Sequence, residues 1–169
     1  MINQPFADQI QLEHNSAIIP ASSGSTEIYL FQKVQALMTL ERQGSRCFVC
    51  GPENPLGLKV KFRLEDDVCR AEFTPEEHHM GYDNVTHGGI IFCLLDDVMA
   101  NWLWLQGIQC FTAKADVRYR AELPVGTTVR LEGRCAKRKG RLAILEGRVI
   151  RSDTDEIVAE ATGSFMIPT

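Results

Sequence analysis

The stretch Asn84-Val85-Thr86-His87-Gly88-Gly89-Ile90-Ile91-Phe92-Cys93-Leu94-Leu95-Asp96-Asp97 carries the residue types of a reacting centre. Gly88 and Gly89 open an apolar segment. The first N–H groups of a helix have no partner inside it. Two glycines there leave room for a substrate carbonyl, whose developing negative charge the N–H groups would stabilise. Asp96 and Asp97 interrupt the apolar run. A carboxylate in such surroundings titrates abnormally and can act as a base. Asp97 lies ~100° further round a helix and reads as a structural or interface residue. Gly88 and Asp96 are eight residues apart, ~12 Å along a helix axis. One carbonyl cannot touch both in one chain. A site that uses both combines Gly88 of one subunit with Asp96 of another, which predicts an obligate dimer with two symmetric sites.

Other groups invite chemistry less strongly. Cys47-x-x-Cys50, with His78 and His79 as further ligands, has a spacing that admits zinc. A single pair with no second pair at regular spacing is a weak signal, so no metal is expected. The run Arg134, Lys137, Arg138, Lys139 and Arg141 contains no acid. It reads as a solvated hairpin tip or, more sharply, as a receiver of phosphates at Arg138 and Lys139. Trp102 and Trp104 face different ways on a helix and read as packing residues.

These residues need a framework. The chain has 169 residues, 44% hydrophobic and 24% charged, a globular composition. Its net charge of −4 divides evenly at residue 44, so neither part would bind nucleic acid through bulk charge. The longest apolar run, Ile90–Leu95, is far short of a membrane span. The six cysteines are even in number, but the chain is long enough to bury a core. No secretory pattern precedes Lys33, so the thiols read as reduced and the protein as cytoplasmic.

Residues 1–44 read as an extension: a linker at Pro20–Ser25, a cap at Ser25 or Thr26, and a helix over Ile28–Arg42. The core, 45–169, alternates apolar and polar residues over Leu58–Leu64 and returns over Val68–Phe73 as a hairpin. A polar loop spans 74–86. Gly88–Gln106 reads as a helix apolar nearly all round, hence buried on most sides. Four strands follow. The first places Ala113, Ala115, Val117, Tyr119 and Ala121 on one face. The others are Thr127–Ala136, Arg141–Arg151 and Ile157–Ile167. The fold class is α+β: a six-stranded antiparallel sheet must curve around one long helix to bury it, which is the hotdog arrangement.

His87-Gly88-Gly89, followed after six residues by Asp96, resembles the signature of the hotdog thioesterase superfamily, in particular the PaaI-like acyl-CoA thioesterases. Thr112-Ala113, then Tyr119 and Pro124-Val125-Gly126, resembles the family's strand after the helix. Cys47-Phe48-Val49-Cys50-Gly51 with Asn54-Pro55-Leu56-Gly57-Leu58 is similar to the opening segment of one bacterial branch. The resemblance implies an acyl-CoA thioesterase, with coenzyme A as part of the substrate and no metal or redox cofactor. Asp96 would be general base or nucleophile and the Gly88 N–H the oxyanion donor. Thr112 would hold the water or the carboxylate. His87 would shape the turn, with Gly89 and Asn84 nearby in substrate binding. Some relatives carry an amide six residues before the histidine, where this chain has Gly81. The resemblance also implies a homodimer or a dimer of dimers. The basic hairpin would take the phosphates of coenzyme A. A non-catalytic acyl-CoA sensor and an acyl dehydratase or hydratase are the alternatives. The second needs a histidine working beside an acid at the reacting carbon.

Overall fold

The computed structural model describes residues 28–31 and 44–168. Residues 28–31 and Gly44 are helical; the rest of the expected extension lies outside the described residues, including its linker and cap. The core domain holds β1 (Arg63–Glu65), β2 (Val68–Phe73), β3 (Met80–Tyr82), β4 (Val85–Thr86), α1 (Gly88–Trp104), β5 (Phe111–Tyr119), β6 (Val129–Lys139), β7 (Leu142–Arg151) and β8 (Ile157–Met166). Six strands form one antiparallel sheet in the order β1-β2-β6-β7-β8-β5. The polar loop contains a 3-10 turn at Glu77–His79 and the small β3–β4 ribbon.

The sheet wraps α1, which packs on β2, β5, β6, β7 and β8. Leu94, Leu95, Val98, Met99 and Leu103 of α1 are fully buried. Their burial supplies the main drive for this arrangement, at roughly 1.5–3 kcal/mol for each large apolar side chain. Close approach comes from a glycine pair that the sequence pattern does not suggest. Gly133 and Gly147 face each other across β6 and β7. A Cβ on Gly133 would stand 2.4 Å from the Val98 carbonyl oxygen, so the helix rests on bare backbone there.

Two expected elements are shorter. The strand expected at Leu58–Leu64 survives only as β1. The Leu58 and Val60 N–H groups donate to Phe48 and Val49 carbonyls, and Lys59 between them adopts φ 60°. Its ammonium donates to the carbonyls of Gly51, Pro52 and Asn54, so this stretch closes a loop instead of extending the sheet. The helix ends at Trp104 rather than Gln106. Gly107, at φ 78°, donates to Trp104, and Ile108 to Leu103, a Schellman stop that satisfies two terminal carbonyls.

Candidate active site

His87 caps α1. Its Nδ1 accepts the Gly89 N–H at 2.9 Å, so that nitrogen serves the turn as an acceptor. The two glycines therefore differ. The Gly89 N–H is committed to the cap. A Cβ at Gly89 would lie 2.9 Å from His87 Nδ1. The Gly88 N–H has no carbonyl four residues back within the helix and no partner among the described residues. A Cβ at Gly88 would meet only the Tyr119 ring at an ordinary 3.6 Å, so packing within the chain does not demand glycine there. The first turn carries no acid, which leaves the helix N-terminus attractive to an anion.

The strand beside this turn anchors it. The Tyr119 hydroxyl donates to the Gly88 carbonyl at 2.9 Å, a role the tyrosine's place in the strand pattern does not disclose. Together Gly81, Tyr82, Thr86, His87, Gly88 and Tyr119 line part of a cleft of 440 Å³. Gly81 packs on His87, where a Cβ would lie 3.1 Å from the His87 Cα, so the position that holds an amide in some relatives has little space here. Asn84 is not in the cleft lining. It sits at φ 62° in the turn joining β3 to β4, its carbonyl accepts the Val125 N–H, and its own N–H points to Met80 Sδ. This is a turn role, suited to asparagine's tolerance of left-handed backbone.

Asp96 lies two turns further along α1, half-buried, and Thr112 Oγ1 donates to its Oδ1 at 2.8 Å. A β-bulge makes this contact. Strict alternation places Thr112 on the face opposite Ala115 and Val117. The register slips between Thr112 and Lys114, Ala113 is the extra residue, and Thr112 turns back toward the helix. Bulges re-aim side chains in this way beside functional sites. Burial pushes the Asp96 carboxyl above its ordinary value, and the Thr112 hydrogen bond partly opposes the shift. Asp97 is pushed up mainly by burial, against hydrogen bonds from Cys50, Cys47 and Asn101.

Gly88 and Asp96 are thus each equipped but stand apart in one chain, and Asp96 does not line the Gly88 cleft. The basic hairpin belongs to the Asp96 end. Arg138, Ala143, Phe165 and Thr112 form one register row across β6, β7, β8 and β5, three strand spacings or about 14 Å wide. Lys139 pairs with Leu142 one residue on, beside the turn glycine Gly140 at φ 58°. His78 and His79 do not join the cysteine pair. His79 Nδ1 accepts the Glu76 N–H, and His79 packs on Phe73.

Residues 83–158 match the sequence model of the thioesterase superfamily. No curated protein matches the chain. Among solved structures, the chain is similar to a thioesterase superfamily protein at 22% identity, over 88% of this chain and 86% of that one, with a TM-score of 0.67. It is similar to the PaaI protein of the E. coli phenylacetic acid degradation operon at 14% identity, over 83% and 98%, with a TM-score of 0.64. A third, a hypothetical thioesterase from Streptococcus pneumoniae solved with coenzyme A, is 15% identical over 64% and 87%, with a TM-score of 0.60. Two variant structures of a hypothetical thioesterase from that organism replace by alanine an aspartate and, sixteen residues later, a threonine.

Proposed function

We propose that this chain, which carries the hotdog domain of the thioesterase superfamily, hydrolyses acyl-CoA thioesters at sites shared between two subunits. The observation that carries the reading is the Asp96–Thr112 pair: a half-buried helix carboxylate with a raised pKa, held by a hydroxyl that a bulge turns toward it. The two residues are sixteen apart, the same separation as the aspartate and threonine altered in the Streptococcus pneumoniae protein.

In the proposed reaction Asp96 takes a proton from water as the oxygen attacks the thioester carbon. The carbonyl oxygen becomes an oxyanion and is held by the Gly88 N–H of the partner subunit, reinforced by the α1 dipole. The tetrahedral intermediate collapses, the carbon–sulfur bond breaks, and the thiolate of coenzyme A takes up the proton. The products are a free acid and coenzyme A. His87 is assigned no proton transfer in the proposed reaction, its Nδ1 being held by the cap. The proposed chemistry uses no metal or redox group. The working unit is a homodimer or a dimer of dimers.

A panel of acyl-CoA esters with detection of released thiol tests the activity. Thiol release above the buffer rate from at least one ester is the expected result. Saturable binding with no release from any ester would instead make the protein an acyl-CoA sensor. The same assay examines the hairpin. Replacing Arg138 and Lys139 by glutamate raises KM for the CoA ester several-fold and leaves kcat within about twofold. The basis is lost charge-assisted contact with phosphates. An unchanged KM removes the hairpin from the binding site.

A further inference from the structure

The proposed reaction leaves one half-buried cluster of reactive side chains unused. Cys47 and Cys50 stand in a tight turn that only glycine closes. The Gly51 N–H donates to the Cys47 carbonyl at 3.0 Å, and a Cβ on Gly51 would lie 2.4 Å from the Cys47 nitrogen. The turn presents its sulfurs to Asp97 on α1. Cys47 Sγ lies 3.6 Å from Asp97 Oδ1, and the ligand atoms of Cys47, Cys50 and Asp97 all lie within 4.8 Å of one another. Asn101 holds the second carboxylate oxygen, donating to Asp97 Oδ2 at 3.1 Å. The cluster lines a cavity of 150 Å³ with no lysine, arginine or histidine among the described residues of its wall.

Two considerations point to a cation. A half-buried carboxylate in apolar surroundings ordinarily has a positive partner, and among the described residues its neighbours here are two thiols and an amide. The dimensions also suit one ion. Zinc at ~2.3 Å from sulfur and ~2.0 Å from oxygen sets a tetrahedral sulfur–oxygen edge of about 3.5 Å, close to the separation already present. Two soft sulfurs with one carboxylate oxygen select zinc over magnesium or calcium.

We propose that Cys47, Cys50 and Asp97 bind one zinc ion, with a water molecule from the cavity as the fourth ligand. Two thiol protons leave as the metal enters. Two thiolates, one carboxylate and Zn²⁺ then sum to a single negative charge, the same as two thiols and a carboxylate, but the carboxylate gains a directly bound cation. The ion ties the loop around 47–60 to α1 at the residue after Asp96. Its role is structural, and the inference stands independently of the thioesterase reading.

The test uses the full chain, reduced and stripped of metal by a chelator, then titrated with Co²⁺ and afterwards with Zn²⁺. One Co²⁺ per chain should bind, with the sulfur-to-cobalt charge-transfer band and the visible bands of a tetrahedral site, and one equivalent of Zn²⁺ should bleach them. Losing an outer-shell partner alone weakens metal sites ~10–100-fold, so Cys47→Ser and Cys50→Ser should raise Kd at least ~100-fold. Asp97→Asn keeps both sulfurs, so it should retain the charge-transfer band but bind at least ~10-fold more weakly. Cys93→Ser should bind as wild type. Zinc should also raise Tm of the wild-type protein. Absence of a saturable one-equivalent site in the wild type overturns the proposal, whether or not the variants fold. So does a band of unchanged strength in both serine variants.

Discussion

Asp96→Asn lowers kcat by ~10²–10⁴-fold, the usual contribution of a positioned general base, and leaves the protein at least as stable at pH 7. The two halves of this result have one cause. Burial raises the Asp96 pKa, so the folded state favours the neutral acid more than the unfolded chain does. That stabilisation is fully present below the ordinary carboxylate pKa of ~3.9 and is lost as pH rises through the higher folded value. At pH 7 the wild-type protein holds an ionised group in a partly desolvated position, whereas asparagine keeps the Thr112 hydrogen bond without the charge. Thermal melts at pH 7 and pH 4 check the sign: the variant's Tm advantage should shrink at the lower pH. In the wild type, kcat/KM should fall on the acid side through an ionisation raised above the ordinary carboxylate range. Thr112→Val should move that limb upward by removing the hydrogen bond that favours the carboxylate, and Thr112→Ser should not. Equal turnover by wild type and Asp96→Asn would remove Asp96 from the chemistry.

Gly88→Pro lowers kcat by ~10²–10³-fold, the cost of deleting one oxyanion donor, with the helix intact. Proline is accommodated at the first helical position because its missing N–H has no helical partner there. His87 before it has φ −60° and ψ 132°, the extended conformation that a residue preceding proline requires. The substitution thus deletes one N–H and little else. Gly88→Ala is its companion: the N–H remains, and the added methyl group makes only ordinary contact with Tyr119. Circular dichroism should show unchanged helix in both variants. A fully active Gly88→Pro would mean that the Gly88 N–H does not touch the substrate.

The parts legible in the sequence are those governed by local periodicity. Buried α1 and the strands β2 and β6–β8 follow from apolar spacing. Gly107 stops the helix near the expected place. The glycine turn and the acid within an apolar helix stand out by residue type alone. What escapes depends on local exceptions or on distant partners. The bulge at Ala113 reverses the face of Thr112, and period-two reading has no means to register an extra residue. Lys59 in left-handed backbone breaks an otherwise well-patterned strand. Gly88 and Gly89 are indistinguishable as letters, and only the His87 cap separates their roles. Asp97 meets Cys47 across fifty residues of sequence, so the cysteine spacing alone does not disclose the carboxylate beside the pair.

The central claim is that Asp96 of one subunit and Gly88 of its partner act on the same thioester. Mixing subunits tests it most directly. Asp96→Asn and Gly88→Pro proteins, each nearly inactive alone, are unfolded together and refolded at equal concentration, and thiol release is measured. With shared sites, half of randomly formed dimers are mixed and each has one intact site of two, so activity returns to roughly a quarter of the wild-type rate. If the mixture, shown to contain mixed dimers, stays as inactive as its parents, the two residues do not serve one site and the account is wrong.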